Sequence, residues 1–380
     1  MSSFNIADEL PPDDPSPESF ETANQAKPPG HDYPKPQLSK ASANDRVRVY
    51  PRPASEAEAA AQKNRRILTC EVLTESLLAA DNMASIEIAP RENLCGTWFR
   101  QGDLGFVFGE RGLGKTWLSL DLGRGLAEGR AVGPWPVAKA RRVCYVDGEM
   151  PLDGIRDRDA ALRNGNGPLF IINHEWLFQK TGCVLNLSDR VAQASLLTLC
   201  ETEKFEVVIL DNLSCLFNGI AENDADAWEM VLPWLLELRR RKIAVVVVHH
   251  SGRAGTHMRG TSRREDAAFW VLRLDAMPDK AGDGARFISR FTKARQGTRE
   301  ETEPLEWCYQ PDGMRTRVTF REVATAEVFK QWIRDGLTSC SDIAEEMGLT
   351  KGTVSKLAKR GQDAGWLKIT ARTYALIDAP

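Results

Sequence analysis

Apolar residues follow two rhythms along this chain. Between about residues 67 and 320, short unbroken apolar runs alternate with stretches whose apolar residues recur every three or four positions. The unbroken runs predict strands at Phe106-Val107-Phe108, Arg142–Asp147, Leu169–Ile172, Val207–Leu210 and Ile243–Val248. The helical spacing predicts helices over Thr116–Leu126, Val191–Cys200 and Ala225–Arg241, the last kinked at Pro233. Strands that are β-branched throughout and separated by helices belong to a parallel sheet covered on both faces, an α/β fold. Phe287–Thr292 and Arg317–Phe320 alternate apolar with polar residues instead, which predicts antiparallel edge strands.

The flanks differ from this middle region. Residues 1–65 hold ten of the 20 prolines, with Ser, Asp, Glu and Lys between them. Too few apolar residues are present to offset the entropy of folding, so a disordered tail is expected. Residues 322–380 read as a small separate unit: helices at Ala326–Ile333, Ser341–Met347 and Lys351–Ala364, then strand-like pieces at Trp366–Ile369 and Tyr374–Ile377. The expected organisation is therefore a tail over 1–65, an α/β domain over 66–321 and a C-terminal domain over 322–380.

Composition narrows this only slightly. An apolar content of 42% and a charged content of 27% fit a soluble globular protein. The net charge of −3 leaves room for a local basic face. Eight scattered cysteines without a C-x-x-C pair argue against a zinc or redox motif and fit a reducing cytoplasm. The N-terminus has no apolar core segment of the kind a signal peptide needs. The longest aliphatic run, Ile243–Val248, is far short of the ~20 residues that span a membrane.

The chemistry is concentrated at strand ends. Gly109, Glu110, Arg111, Gly112, Leu113, Gly114, Lys115 and Thr116 match G-x-x-x-x-G-K-[ST] in full, between a predicted strand and a predicted helix. Glycines let the backbone curl so that its N–H groups point at phosphate oxygens. The lysine brings positive charge to the β- and γ-phosphates, the threonine hydroxyl serves Mg²⁺, and the helix adds its N-terminal dipole. With Trp117, which follows directly, these residues form the expected ATP-contacting run. Asp211 ends the run Val207–Leu210, where an acid normally holds the magnesium shell. Glu149 follows Val143-Cys144-Tyr145-Val146-Asp147 and is a candidate general base for water, with Asp147 as its local rival. His249-His250-Ser251 ends another strand, at a position suited to sensing the γ-phosphate. The stretch 252–262 is rich in Gly, Arg, Ser and Thr, a loop suited to contact with a polyanion. Lys293 and Arg295 point the same way from one strand and are candidate transition-state fingers, acting in cis or from a neighbouring subunit.

In this order, the motifs resemble the RecA-like core of hexameric helicases, in particular the RepA-type replicative helicases of plasmids and phages. The resemblance covers roughly residues 75–320. It rests on Gly109–Thr116, Tyr145-Val146-Asp147-Gly148-Glu149-Met150, Val208-Ile209-Leu210-Asp211-Asn212, Val248-His249-His250-Ser251 and Thr292-Lys293-Ala294-Arg295. It implies that Glu149 activates water and that Asp211 and Thr116 serve Mg²⁺. It further implies that one of His249 and His250, with His250 favoured, senses the γ-phosphate. Lys293 and Arg295 would enter the next subunit's site. A homo-oligomer follows, most simply a hexamer, moving on single-stranded DNA through its core loops.

The C-terminal unit resembles a winged helix-turn-helix domain. Ile343-Ala344-Glu345-Glu346-Met347-Gly348-Leu349-Thr350 supplies a helix, a glycine turn and a threonine opening a second helix. That second helix carries Lys351, Thr353, Ser355, Lys356, Lys359 and Arg360, which implies contact with duplex DNA or, in the other common use of such domains, with protein.

Overall fold

The computed structural model describes residues 68–217, 225–251, 263–277, 284–347, 349–370 and 373–377. The expected tail over 1–65 and the expected basic loop over 252–262 lie outside the described residues.

The expected α/β class holds. A small antiparallel pair, β1 (Asn93–Cys95) and β2 (Phe99–Arg100), precedes a nine-stranded sheet. The sheet strands are β3 (Leu104–Gly109), β4 (Val143–Asp147), β5 (Leu169–Asn173), β6 (Val207–Asp211), β7 (Ala244–His250), β8 (Trp270–Ala276), β9 (Ala285–Ala294), β10 (Leu305–Asp312) and β11 (Arg315–Glu322). Their spatial order is β11-β10-β9-β8-β3-β7-β6-β4-β5. From β8 to β5 all neighbours are parallel; from β8 to β11 all are antiparallel.

Parallel strands need crossovers, and the crossovers cover both faces. Successive side chains point to opposite faces, so each unbroken apolar run supplies two layers at once. Val107, Tyr145, Ile209, Val246 and Val248 pack with Leu118, Leu122 and Leu126 of α1 (Lys115–Glu128). Phe106, Phe108, Val146, Val208 and Val247 pack on the other face with Leu196 of α4 (Arg190–Thr202) and Leu235 and Leu238 of α5 (Ala225–Arg240). Two further helices, α2 (Leu152–Leu162) and α3 (His174–Thr181), flank β5 in the sequence.

Two expectations about strands change. β9 is an interior strand, not an edge, because the unpredicted strands β8 and β10 lie on either side of it. β8 hides from a hydrophobic pattern because Arg273 and Asp275 interrupt its apolar residues, yet both are buried in an ion cluster. β7 runs two residues beyond the predicted end and includes His249 and His250.

The C-terminal region begins after β11, whose last residue Glu322 still pairs with Leu305. Helices α6 (Thr325–Arg334), α7 (Cys340–Glu346) and α8 (Lys351–Asp363) precede a hairpin of β12 (Leu367–Thr370) and β13 (Thr373–Leu376). Ser339 and Thr350 cap α7 and α8 by accepting from Asp342 N and Thr353 N. The unit has its own core, built on Phe329, Ile333, Ile343, Val354, Ala358 and Tyr374. It is fastened to the sheet through charge. Asp335 accepts from Arg273 at 2.8 Å, and Arg273 pairs with Asp275 at 2.5 Å. Arg290, beside Arg273 on β9, lies 3.4 Å from Asp275 and stacks 4.7 Å from the Trp332 ring. Two arginines and two aspartates thus neutralise one another under the C-terminal helices. Among the described residues no helix is long and apolar enough to cross a membrane.

Candidate nucleotide site

The loop 109–116 joins β3 to α1 at the carboxyl end of the parallel strands, where open α/β sheets bind ligands. Two glycines are required by contact. Gly114 has φ +102°, and a Cβ there would lie 2.7 Å from the Ala285 Cβ. A Cβ on Gly109 would lie 2.8 Å from the Leu274 carbonyl oxygen. The loop is thereby pressed against β8 and β9, and α1 starts at Lys115. The Lys115 ammonium lies over the loop, donating to Gly109 O at 3.0 Å and Glu110 O at 2.6 Å. Burial brings its pKa down to about 8, against the pull of Asp211 and Glu149. Glu110 and Arg111 are exposed, Leu113 packs against the core, and Trp117 is half-buried with the Arg158 guanidinium 5.1 Å from its ring.

Four strand ends meet beside this loop. Tyr145 donates its phenolic hydrogen to Asp211 Oδ2 at 2.6 Å, and its oxygen lies 2.9 Å from Ser119 Oγ. The Thr116 hydroxyl also bonds the Asp211 carboxyl, so the two expected magnesium residues are in contact. Burial pushes Asp211 up to about 6, in spite of these two hydrogen bonds.

The rivalry between Asp147 and Glu149 has a geometric outcome. Asp147 is fully buried. Its Oδ1 accepts from Glu149 N and Met150 N at 3.2 and 3.0 Å, and its Oδ2 accepts from Asn173 Nδ2 at 2.7 Å. It shapes the 148–150 turn. Glu149 is exposed on that turn, with its carboxylate accepting from Asn212 Nδ2. Asn212 Nδ2 also lies 3.3 Å from His250 Nε2. His250 therefore joins the cluster, whereas His249, the preceding residue on the strand, points to the opposite face.

Lys293 and Arg295 are not brought to this cluster. Lys293 pairs with Val271, which pairs with Phe106, three residues before Gly109 and so about 10 Å below the loop. Arg295 N bonds Phe269 O, and Phe269 N bonds Leu104 O, about 17 Å below it. Their side chains donate to the backbone oxygens of Glu265 and Asp266. The alternative of fingers acting in cis is thus removed: both cations lie at the amino end of the parallel strands.

Comparison with a known family agrees with this geometry. Residues 69–256 match the family model of an AAA domain. Among solved structures, the chain is similar to the flagellar accessory protein FlaH from Methanocaldococcus jannaschii, with 16% identity and a TM-score of 0.41 over 59% of this chain and 91% of that one. It is similar also to a KaiC-like protein from Pyrococcus horikoshii OT3, with 12% identity and a TM-score of 0.42 over 61% of this chain and all of the other. No curated protein matches it.

The residues gathered around the loop fit a nucleotide with magnesium. Mg²⁺ keeps several waters and takes few protein ligands beside the phosphates, and Thr116 with Asp211 is such a set. Among the described residues no cluster of three His, Cys, Asp or Glu side chains would hold a metal unaided. Three participants escaped the sequence reading: Tyr145, Asn173 and Asn212. Tyr145 reads as an ordinary strand residue, and Asn173, now the end of β5, lies one residue past the strand that the sequence predicts. Asn212 had a signal, its place directly after Asp211, but adjacency alone assigned it no role.

Proposed function

We propose that the chain is an ATP-hydrolysing motor acting on DNA, of the type of the RepA replicative helicases of mobile elements, and that it works as a ring of identical subunits, most simply a hexamer. The observation that carries this reading is the separation of the site into two halves. Lys115, Thr116, Asp211, Glu149 and His250 converge at one end of the sheet. Lys293 and Arg295 lie at the other. A site that uses both halves needs a neighbouring subunit, and head-to-tail interfaces of that kind build rings or filaments.

In the proposed reaction, loop amides and Lys115 hold the triphosphate, and Thr116 and Asp211 would hold Mg²⁺, which would supply charge neutralisation at the phosphates. Glu149 orients the attacking water and accepts its proton. His250, at the end of β7, contacts the γ-phosphate. Single-stranded DNA is the proposed partner, with 252–262 as the candidate contact on its composition. The C-terminal unit, with three helices and a hairpin, supports a winged-helix reading, and α8 exposes Lys351, Lys356, Lys359 and Arg360 toward a duplex partner.

One observation favours a second reading, an ATP-gated DNA-binding regulator. The C-terminal unit is fastened by Asp335 to β8, the strand whose Leu274 abuts Gly109 of the phosphate loop. Such a link suits control of DNA binding by nucleotide state.

The test is strand separation on a forked duplex by purified protein with ATP, beside Lys115→Ala. Unwinding by the parent and none by the variant is expected. Hydrolysis stimulated by single strands without unwinding would leave the regulator, and hydrolysis indifferent to DNA would count against both.

A further inference from the structure

We infer that Asn212 is a positioning residue that fixes the water-activating carboxylate and the phosphate-sensing imidazole to a single amide group. The inference rests on the roles proposed for Glu149 and His250. Asn212 itself is 1% exposed, and its place after Asp211 gave its side chain no role.

Its orientation is set by a separate task. Asn212 is the N-cap of the short helix Leu213–Leu216, and its Oδ1 accepts from Cys215 N at 3.2 Å. With the oxygen committed there, the NH₂ group must face the other way. It donates to Glu149 Oε2 and meets His250 Nε2 at 3.3 Å. An amide nitrogen carries two hydrogens, so one is available for each partner. Nε2 of His250 can accept the second of these hydrogens when it carries no proton of its own.

The arrangement ties together groups from three strand ends. Glu149 is on the turn after β4, Asn212 follows β6, and His250 closes β7. The Glu149 side chain is exposed, so without a donor its carboxylate samples several rotamers. Asn212 holds it on the side of Lys115 and Asp211, with both of which it interacts electrostatically. The role is positional: the amide neither takes the proton nor touches the reacting atoms.

The experiment uses two variants that keep the cap. Ser and Asp cap helices about as well as Asn, so Asn212→Ser and Asn212→Asp preserve the acceptor for Cys215 N. Neither reproduces the donor: Ser is too short to reach Glu149, and Asp presents a second carboxylate. ATP hydrolysis by the full-length protein is measured over a range of ATP concentrations. The expected result is a kcat lower by about 10- to 100-fold, a KM changed by less than about threefold, and a greater loss for Asp than for Ser. Melting temperatures should match the parent. In the Glu149→Gln background, Asn212→Ser should lower the residual rate by less than about twofold, because the two residues act as one unit. An unchanged kcat, a rise in KM alone, a rate loss that tracks a lowered melting temperature, or losses that multiply in the double variant would each overturn the inference. Parent protein that hydrolyses no ATP would overturn the ATPase mechanism first, and this inference with it.

Discussion

Tyr145 and Asp211, 66 positions apart, meet at 2.6 Å between neighbouring parallel strands, with the phenol donating to the carboxylate. The bond favours the ionised acid, while burial opposes it and leaves Asp211 with a pKa of about 6. This lies above the 3.8 of an unperturbed aspartate, so the protonated acid favours folding at low pH. That contribution is lost as pH rises through about 6. Magnesium needs the opposite state. Affinity for Mg·ATP should therefore weaken by about tenfold per pH unit below 6. It should weaken again above the Lys115 pKa of about 8, where the ammonium is lost. Tyr145→Phe should move the acid limb upward. Fluorescent-nucleotide titrations between pH 5 and 9 measure both limbs, and a flat profile would refute the assignment.

Lys115→Ala and Glu149→Gln should fail in different ways. The first removes the phosphate's main counter-charge, so both affinity and hydrolysis should collapse. The second keeps size and shape but removes the base, so hydrolysis should fall by about 10²- to 10⁴-fold with ATP binding retained. Equilibrium binding beside phosphate release separates the two.

The distance between Lys293–Arg295 and the phosphate loop of the same chain makes a mixing experiment decisive. Arg295→Ala protein should hydrolyse ATP slowly, as should Lys115→Ala protein. Mixed oligomers should regain part of the activity, since some interfaces then combine an intact loop with an intact finger. An unchanged rate over all mixing ratios would remove the shared site.

Asp335 is the acid of the C-terminal unit that reaches both Arg273 and Arg290. Asp335→Ala should destabilise the protein by about 3–5 kcal/mol, because it leaves buried cations undercompensated. Thermal unfolding with the parent as reference reads this directly. Truncation after residue 321 is a poor probe of DNA binding for the same reason, since it exposes the same arginines and removes the last pair of β11.

A surface change tests the DNA role more cleanly. Lys356 and Lys359 are exposed on α8, while Val354 and Ala358 hold its inner face. Lys356→Glu with Lys359→Glu should weaken duplex binding, with the salt-dependence slope smaller by about 1 for each phosphate no longer neutralised. ATP turnover without DNA should be unchanged. Unaltered duplex affinity would point to a protein partner for this unit.

Much of this molecule was legible in its residues alone. Four of the five apolar runs named β3, β4, β6 and β7 because a strand buried on both faces has few polar positions to interrupt it, and the fifth named β5, a partly exposed edge strand. The phosphate loop was equally plain, since its geometry depends on glycines and a lysine at fixed spacing within one segment. Tertiary structure decided what depends on neighbours far along the chain. β8 became visible only once Arg273 and Asp275 had buried partners, and β9 became interior once β8 and β10 flanked it. The separation of Lys293 and Arg295 from their own phosphate loop follows from antiparallel pairing, whose register no local pattern encodes. The same holds for Asn212: its neighbours in the sequence make it a helix cap, and only the packing of three strand ends brings its amide to Glu149 and His250.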